Sequence, residues 1–551
     1  MKSTFLSSHK SDLLLVILAA IIWFSLLGFR DLMDPDAGRY AEVAREMLST
    51  GDWVTPRING YKFFDKPPMQ YWGSALSMSL LGETNAAARL WCTLLGFIGA
   101  LWMWLVGKRL YGDTAGRYTF LILLSAFLYV AIGHVNVLDM GVSVFLAITV
   151  GAFALAQASR ETEGKGQGWM LLCWAAAAAS VLSKGLIGIV FPAASIFLYS
   201  LWQKDWALWR NLHILKGLAL FLLLVMPWFI LVSQANEQFL HYFFIHEHFE
   251  RFTSNVHKRN HPWWYFITIL CVGFLPWIIN IIHTIIKPGF SWSGTPAGNF
   301  DATRFFWVYC VFIFLFFSYS HSKLVPYILP IFPFLALLTA AKLANAKQII
   351  SPIVITGLLA VGVAIVAWKI VDFAKPRTPV AIFLDYRPWL IAASVSLAIA
   401  SLIAFYYRTK PTLVITTIAI GSLLAFKMGL LGFQSHSPIR SAKQMATAIQ
   451  SYNIHKALKI YAINRIDYSL LYYLQRKITL VGYKGDMKFG INREPENWIP
   501  DEAAFLPLWL TAKDALAILS KQTYQSWLEK QIPMQIIYQD PRRLVVSRAA
   551  S

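Results

Sequence analysis

Apolar runs, each about as long as a bilayer is thick, alternate along this chain with short polar loops. They fall at 12–29, 86–107, 118–133, 138–157, 169–183, 186–202, 213–233, 263–283, 304–319, 326–341, 349–368, 388–406 and 412–431. Each is close to the roughly 20 residues that cross a ~30 Å hydrocarbon core as a helix. The count, about thirteen, predicts a polytopic α-helical membrane protein. The pattern changes near residue 435, where charged and amide residues return. KALKIYAIN, ITLVGY, AFLPLWL, MQIIYQD and RLVVSR read as strands, and SAKQMATAIQSYN and YSLLYYLQR as helices. The expectation is a transmembrane domain over 1–434 and a small α/β domain over 435–551, with a hairpin turn at Asp540-Pro541-Arg542.

Alternate loops predict the topology. Lys108–Arg109, Arg160–Lys165, Lys204–Lys216, Lys287, Lys342–Lys347 and Arg408–Lys410 are short and basic, which marks the cytoplasmic side together with the N-terminus. Loops 30–85, 134–137, 184–185, 234–262, 320–325 and 369–387 then face outward. An odd number of spans puts the C-terminal region outside too. The N-terminal run is followed by Arg30 and Asp31 rather than a small-residue cleavage site, so it reads as a retained first span.

Composition supports the membrane reading. Of 551 residues, 57% are hydrophobic and 14% charged, less charge than a soluble chain of this size carries. The formal charge of +20 is spread over loops. It suits topology and anionic headgroups and points away from nucleic acid. The four cysteines, Cys92, Cys173, Cys271 and Cys310, each lie inside an apolar run and read as small core residues.

Residues 32–72, LMDPDAGRYAEVAREMLSTGDWVTPRINGYKFFDKPPMQYW, concentrate ionisable and aromatic groups between the first two spans. Polar groups held beside a membrane point to use. Asp34 is expected to cap a helix with Pro35 in its first turn, running to about Leu48 and stopping at Gly51. Asp36 falls in the first turn, where the free amides and helix dipole favour a carboxylate, and it suits electrostatic stabilisation, base work or substrate orientation. Arg39, one turn on, shares its face. Tyr40, Val43, Met47 and Leu48 form an apolar stripe expected to lie on the membrane, and Glu42 and Glu46 form a solvated or structural pair. Pro67 biases Lys66 toward extended backbone and makes it a fixed point charge for phosphate. Residues 69–81 read as a second interfacial helix. Asp139, Lys184, Lys323 and Tyr327, and His246, Glu247, His248 and Arg251 in HYFFIHEHFERF, collect on the same outer side. This much positive charge suits phosphate or pyrophosphate.

The ordered set PDxxRYAExxREM, GDWVTPRxNG, FFDKPP, VLD, SKG, HEHFERF and SKLxPYIL resembles the lipid A aminoarabinose transferases, relatives of the protein O-mannosyltransferases. The likeness covers essentially the whole chain. It implies the C-type glycosyltransferase fold, with about thirteen helices and a periplasmic α/β domain, in the bacterial inner membrane. It implies transfer of 4-amino-4-deoxy-L-arabinose from undecaprenyl phosphate to a lipid A phosphate. Lipopolysaccharide modification and resistance to cationic peptides would follow. By the matching motifs, Asp36 is the key carboxylate, and Lys66, Arg251 and Arg39 hold the donor phosphate. Asp139, Lys323 and Tyr327 line the cavity, and Asp65 with His246 corresponds to a zinc pair found in relatives. No cofactor is required by this reading, and a monomer is expected. The chain departs from the pattern at Ala37, where relatives often have Glu, and at Phe63, where they can have Tyr. The alternatives are another sugar or acceptor (core oligosaccharide or protein) and, outside enzymes, a lipid flippase or transporter, which would place polar groups at mid-membrane.

Overall fold

The structure is a computed structural model that describes residues 2–159, 166–243, 261–290, 300–452, 458–512 and 514–548. A helix or helix pair corresponds to every predicted apolar run. The first ten helices include α1 (Lys2–Phe24), α2 (Asp36–Thr50), α3 (Met69–Leu81), α4 (Asn85–Tyr111), α5 (Asp113–Leu124) and α6 (Phe127–Gly133). They continue with α7 (Leu138–Ala158), α8 (Gln167–Lys184), α9 (Ile187–Gln203) and α10 (Ile214–Ala235). Further helices cover Tyr265–Gly273, Ile278–Ile286, Ala302–Tyr319, Phe332–Leu343, Ser351–Lys369, Val380–Tyr406 and Pro411–Gly432. Among the described residues eight segments are long and apolar enough to cross a membrane, one of them joining the 3-10 turn Val325–Ile331 to the helix Phe332–Leu343, and α5–α6, bent by 65°, makes a ninth. The chain is a multi-pass membrane protein.

Two breaks within the apolar layer face each other. The α5–α6 bend at Ser125 and the break between Tyr265–Gly273 and Ile278–Ile286 leave backbone groups without helical partners. Phe127 N–H donates to Leu275 O at 3.3 Å and Trp277 Nε1 to Ser125 Oγ at 2.9 Å. The first bond pairs a freed backbone group of each break, and the second ties the breaks through side chains, which lets irregular backbone persist inside the bundle.

Among the described residues, contacts between loops group at two ends of the bundle. At one end Arg117 pairs with Asp12 (2.7 Å) and Tyr111 bonds Thr303 (3.0 Å). At the other end Trp228 Nε1 donates to Val54 O (3.0 Å), Asn236 Nδ2 to Thr55 Oγ1 (3.0 Å) and Gln434 Nε2 to Asp31 (2.8 Å). The C-terminal region sits at this second end.

That region holds a six-stranded sheet in the order β5-β4-β3-β6-β8-β7. Its strands are β3 (Lys459–Ile463), β4 (Thr479–Val481), β5 (Trp498–Ile499), β6 (Ala515–Ser520), β7 (Gln535–Gln539) and β8 (Arg543–Arg548). β5, β4, β3 and β6 run parallel, and β8 and β7 close the edge as an antiparallel pair. The turn at Asp540 forms as expected, with the N–H groups of Arg542 and Arg543 both donating to Asp540 Oδ1 at 2.7 Å. AFLPLWL, expected as a strand, is instead part of a helix over Glu502–Thr511. Asp501 caps it through Ala504 N–H (2.8 Å), and Phe505 and Trp509, four apart, bury together against Trp527. Period four outweighs the apparent alternation. The strand here is ALAILS, β6, whose near-continuous apolar run is that of a buried central strand.

Candidate active site beneath the C-terminal region

Loop 30–85 is a folded layer between the helical bundle and the sheet. α2 starts and stops near the expected places, with Gly51 left-handed at φ 70° as its C-cap. Asp34 does not cap it. The carboxylate turns to the C-terminal region and accepts from Ser469 N–H (2.7 Å) and Ser469 Oγ (2.5 Å). The α2 stripe is also placed differently from expectation. Tyr40, Val43 and Met47 are 5%, 0% and 2% exposed, packed with Leu470 and Leu471 of the helix Tyr468–Leu474. Protein, not lipid, covers this face, because the sheet region docks on it. Glu42 and Glu46 are both buried and structural: Arg45 holds Glu42 through two bonds (2.7 and 2.8 Å), and Glu46 accepts from Gly60 N–H at 3.1 Å.

After α2 a short hairpin, β1 (Arg57–Ile58) with β2 (Tyr61–Lys62), turns at Asn59-Gly60, both at positive φ. Asn-Gly is the residue pair such a turn demands. Asn59 reads the backbone of Ile478, donating to its carbonyl and accepting from its N–H, both at 2.8 Å. Glu494 adds bonds to Arg57 (2.9 Å) and Lys62 (3.4 Å). The next residues, Phe63 and Phe64, point into separate apolar clusters, Phe64 lying edge-on to Phe239 and Phe489. The two rings pin the backbone that carries Asp65 and Lys66. α3 then presents Leu76 and Leu80, 54% and 75% exposed, along its outer side, as an interfacial helix requires.

The structure gathers the candidate residues into two neighbouring groups. In the first, Arg39 bridges the carboxylates of Asp36 and Asp486 and lies over the rings of Tyr40 (5.2 Å) and Tyr468 (5.5 Å). Its side chain is 11% exposed, whereas Asp36 and Asp486 are 48% and 47% exposed. Burial opposes the Arg39 charge, but Tyr40 and the carboxylates of Asp36, Asp65 and Asp486 hold its pKa well above the usual value. Lys66 donates to its neighbour Asp65 at 3.0 Å. In the second group, Asp139 in the first turn of α7 pairs with Lys184 at the end of α8, and the Lys184 ammonium lies 4.6 Å from the centre of the Tyr327 ring. Leu138, next to Asp139, packs in the same apolar cluster as Tyr40 and Tyr71, so the two groups flank one another. Lys323 is 5% exposed and donates to Ser320 O in its own loop at 2.6 Å; burial lowers its pKa. His246 and Arg251 lie outside the described residues. Among the described residues no three His, Cys, Asp or Glu side chains are placed to hold a metal ion.

Asp486 and Tyr468 carry no signal in the sequence. They reach Arg39 from more than four hundred positions away, as only the docking of the two regions allows.

Comparison with known proteins gives the same picture. Residues 11–243 match the dolichyl-phosphate-mannose-protein mannosyltransferase family, and residues 445–548 match the aminoarabinose transferase C-terminal domain. A helical bundle of the first kind, carrying a charged outer loop and roofed by the second, defines a membrane-embedded protein of the C-type glycosyltransferase fold. The crystal structure of ArnT from Cupriavidus metallidurans bound to undecaprenyl phosphate superposes with TM-score 0.90 at 31% identity, covering 98% of each chain. This chain belongs to the aminoarabinose transferase family. An undecaprenyl phosphate-α-4-amino-4-deoxy-L-arabinose arabinosyl transferase of Pectobacterium atrosepticum is 28% identical over 91% of this chain and 90% of its own. For the same-named proteins of Edwardsiella ictaluri and Enterobacter sp., at 32% and 31% identity, the chain spans 58% and 61% of their lengths.

Proposed function

We propose that the chain transfers 4-amino-4-deoxy-L-arabinose from undecaprenyl phosphate to a phosphate of lipid A. It acts at the periplasmic face of a bacterial inner membrane, as a monomer. The observation that carries this reading is Asp36, a half-exposed carboxylate fixed by a buried arginine beside the Asp65–Lys66 pair. That combination stabilises both partners of a sugar–phosphate bond as it breaks. An oxygen of the acceptor phosphate attacks the anomeric carbon. The bond from that carbon to the donor phosphate oxygen breaks, and its electron pair leaves with undecaprenyl phosphate. The acceptor is already ionised, so no strong base is needed. Lys66, with Arg251, neutralises the departing phosphate, and Arg39 assists. Asp36 faces the positive charge that develops at the anomeric carbon. Asp139, Lys323 and Tyr327 line the substrate cavity, and the long isoprenoid lies along the apolar bundle.

Fixed cations supply the charge that departure needs, so the reading requires no resident cofactor. A zinc ion at Asp65 and His246 would compete with Lys66 for the Asp65 carboxylate, 3.0 Å from the ammonium.

The test is purified protein with synthetic undecaprenyl-phosphate sugars and lipid A, read by mass. Lipid A should gain one aminopentose, and Asp36→Asn should lower the rate by about 10² or more while the protein stays folded. Unmodified lipid A with every donor, or full activity of Asp36→Asn, would overturn the assignment. The second reading, the same chemistry on a protein acceptor, draws on the mannosyltransferase match over residues 11–243. It predicts transfer to polypeptide in the same assay.

A further inference from the structure

A second concentration of buried charge lies where α1 ends, on the side of the C-terminal region. Arg30, Arg89 and Lys427 are 8%, 3% and 5% exposed. The nearby carboxylate is Asp31, already occupied by Gln434 (2.8 Å), Ser437 (2.5 Å) and Lys443 (2.9 Å). Arg89 is satisfied by backbone, donating to Arg30 O and Asp31 O at 2.6 Å each. Arg30 and Lys427 are not. Among the described residues Arg30 makes one hydrogen bond, to His134 O (2.5 Å), and Lys427 makes one, to Trp23 O (2.9 Å). A guanidinium carries five donors and an ammonium three, so most of theirs lack a protein acceptor. Neither has a carboxylate partner among the described residues, and buried cations without one are costly.

These two side chains line one small, partly open hollow. Its other walls are Leu26 and Leu27, just past α1, and two leucines of the helix Pro411–Gly432. Leu26 and Phe29 beside it are 59% and 45% exposed on the outer surface of the bundle, where lipid lies.

His134, on the wall of the cavity, gives an independent sign. Its Nδ1 lies 2.7 Å from Val130 O and its Nε2 2.8 Å from Trp23 O. Two carbonyl partners call for two N–H groups, and only the imidazolium has both. Yet burial, then Lys427, push its pKa down to about 3. Geometry and local charge disagree at this ring, and an anion between Arg30 and Lys427 would reconcile them.

We propose that this cavity binds the phosphate of an anionic phospholipid from the outer leaflet, with Arg30 and Lys427 as its ligands and the leucines against its glycerol and acyl carbons. The site is separate from the Asp36–Lys66 group and does not depend on the function assigned above. Its position, directly before residues 32–36, makes the lipid a tie between α1, the helix Pro411–Gly432 and the catalytic loop.

Native mass spectrometry of the full chain, released from nanodiscs of mixed phosphatidylglycerol and phosphatidylcholine, tests this. The wild type should retain phosphatidylglycerol over phosphatidylcholine at one site. Lys427→Gln and Arg30→Gln should lower that retention tenfold or more, and Lys410→Gln, at the opposite end of the bundle, should not. Equal retention of the two lipids by the wild type would overturn the proposal, and that comparison needs no variant to fold. Retention unchanged in both cavity variants would also overturn it. So would inorganic phosphate raising the melting temperature of lipid-stripped wild type while phosphatidylglycerol does not, which would mark a free-anion site.

Discussion

Gly38 is where the C-terminal region comes closest to α2, and replacing it separates two opposing effects. In a helix, Gly→Ala is stabilising by about 1 kcal/mol. At Gly38 the added carbon would lie 2.5 Å from Ser469 N and 2.7 Å from its Cα. Ordinary contact needs about 3.5–4.0 Å, so the helix Tyr468–Leu474 must retreat by about 1 Å. Backbone cannot turn aside as a flexible side chain can. Overpacking of this kind costs about 1–3 kcal/mol. The retreat also stretches the two bonds from Ser469 to Asp34, each worth about 1.5–3 kcal/mol when the acceptor is charged. The clash therefore outweighs the helix propensity, and Gly38→Ala should weaken docking by about 1–3 kcal/mol, or a roughly 5- to 150-fold rise in local opening. Hydrogen exchange of residues 466–476 in detergent reads this directly. Gly168→Ala, where the added carbon meets nothing within 4 Å, is the control. Slower or unchanged exchange in Gly38→Ala would show that the close approach does not hold the two regions together.

Further outcomes follow from the same geometry. Asp486→Asn removes one of the two carboxylates on Arg39; kcat should fall several-fold while membrane insertion and melting temperature stay unchanged, and an unaltered kcat would make Asp486 a tether only. Breaking the largely buried Asp139–Lys184 pair with Asp139→Asn leaves an uncompensated cation and should destabilise by about 3–5 kcal/mol, measured by thermal melting, with Asp139→Asn/Lys184→Met recovering much of the loss in stability but not in activity. Burial and the neighbouring Asp467 raise the pKa of Asp34 to about 7, against the bonds from Ser469. Since the folded-state value is raised, this contribution to stability is complete below about pH 4 and is lost as pH rises through about 7. Melting temperature should fall between about pH 4 and 7 and level off above that, and Asp34→Asn should flatten the slope. Chelation with EDTA should leave transfer unchanged; loss of activity restored by zinc would reassign Asp65 as a metal ligand.

How much of this was legible beforehand differs by level. The apolar runs locate their helices because lipid imposes length and hydropathy on each segment independently of its neighbours. The loop end signals at Asp36 and Gly51 are local too, as is the Asn59-Gly60 turn, which the residue pair alone could have given. The misreadings share another cause. Asp34 leaves its helix for Ser469, and the Tyr40–Met47 stripe turns from lipid to Leu470 and Leu471, because a region more than four hundred residues later docks there. AFLPLWL is apolar enough for either period, and only its packing against Trp527 selects the helix.

The sequence by itself located the apolar helices and singled out the candidate residues Asp36, Arg39, Lys66, Asp139, Lys323 and Tyr327. Each of those is marked by short-range pattern and by the rarity of charge in an apolar chain. Tertiary structure alone decided that Arg39 is shared between Asp36 and Asp486, that Lys184 sits between Asp139 and the Tyr327 ring, and that Arg30 and Lys427 face one cavity. Coulombic and hydrogen-bond partners act over a few ångströms in space, and no spacing along the chain encodes which distant elements will meet.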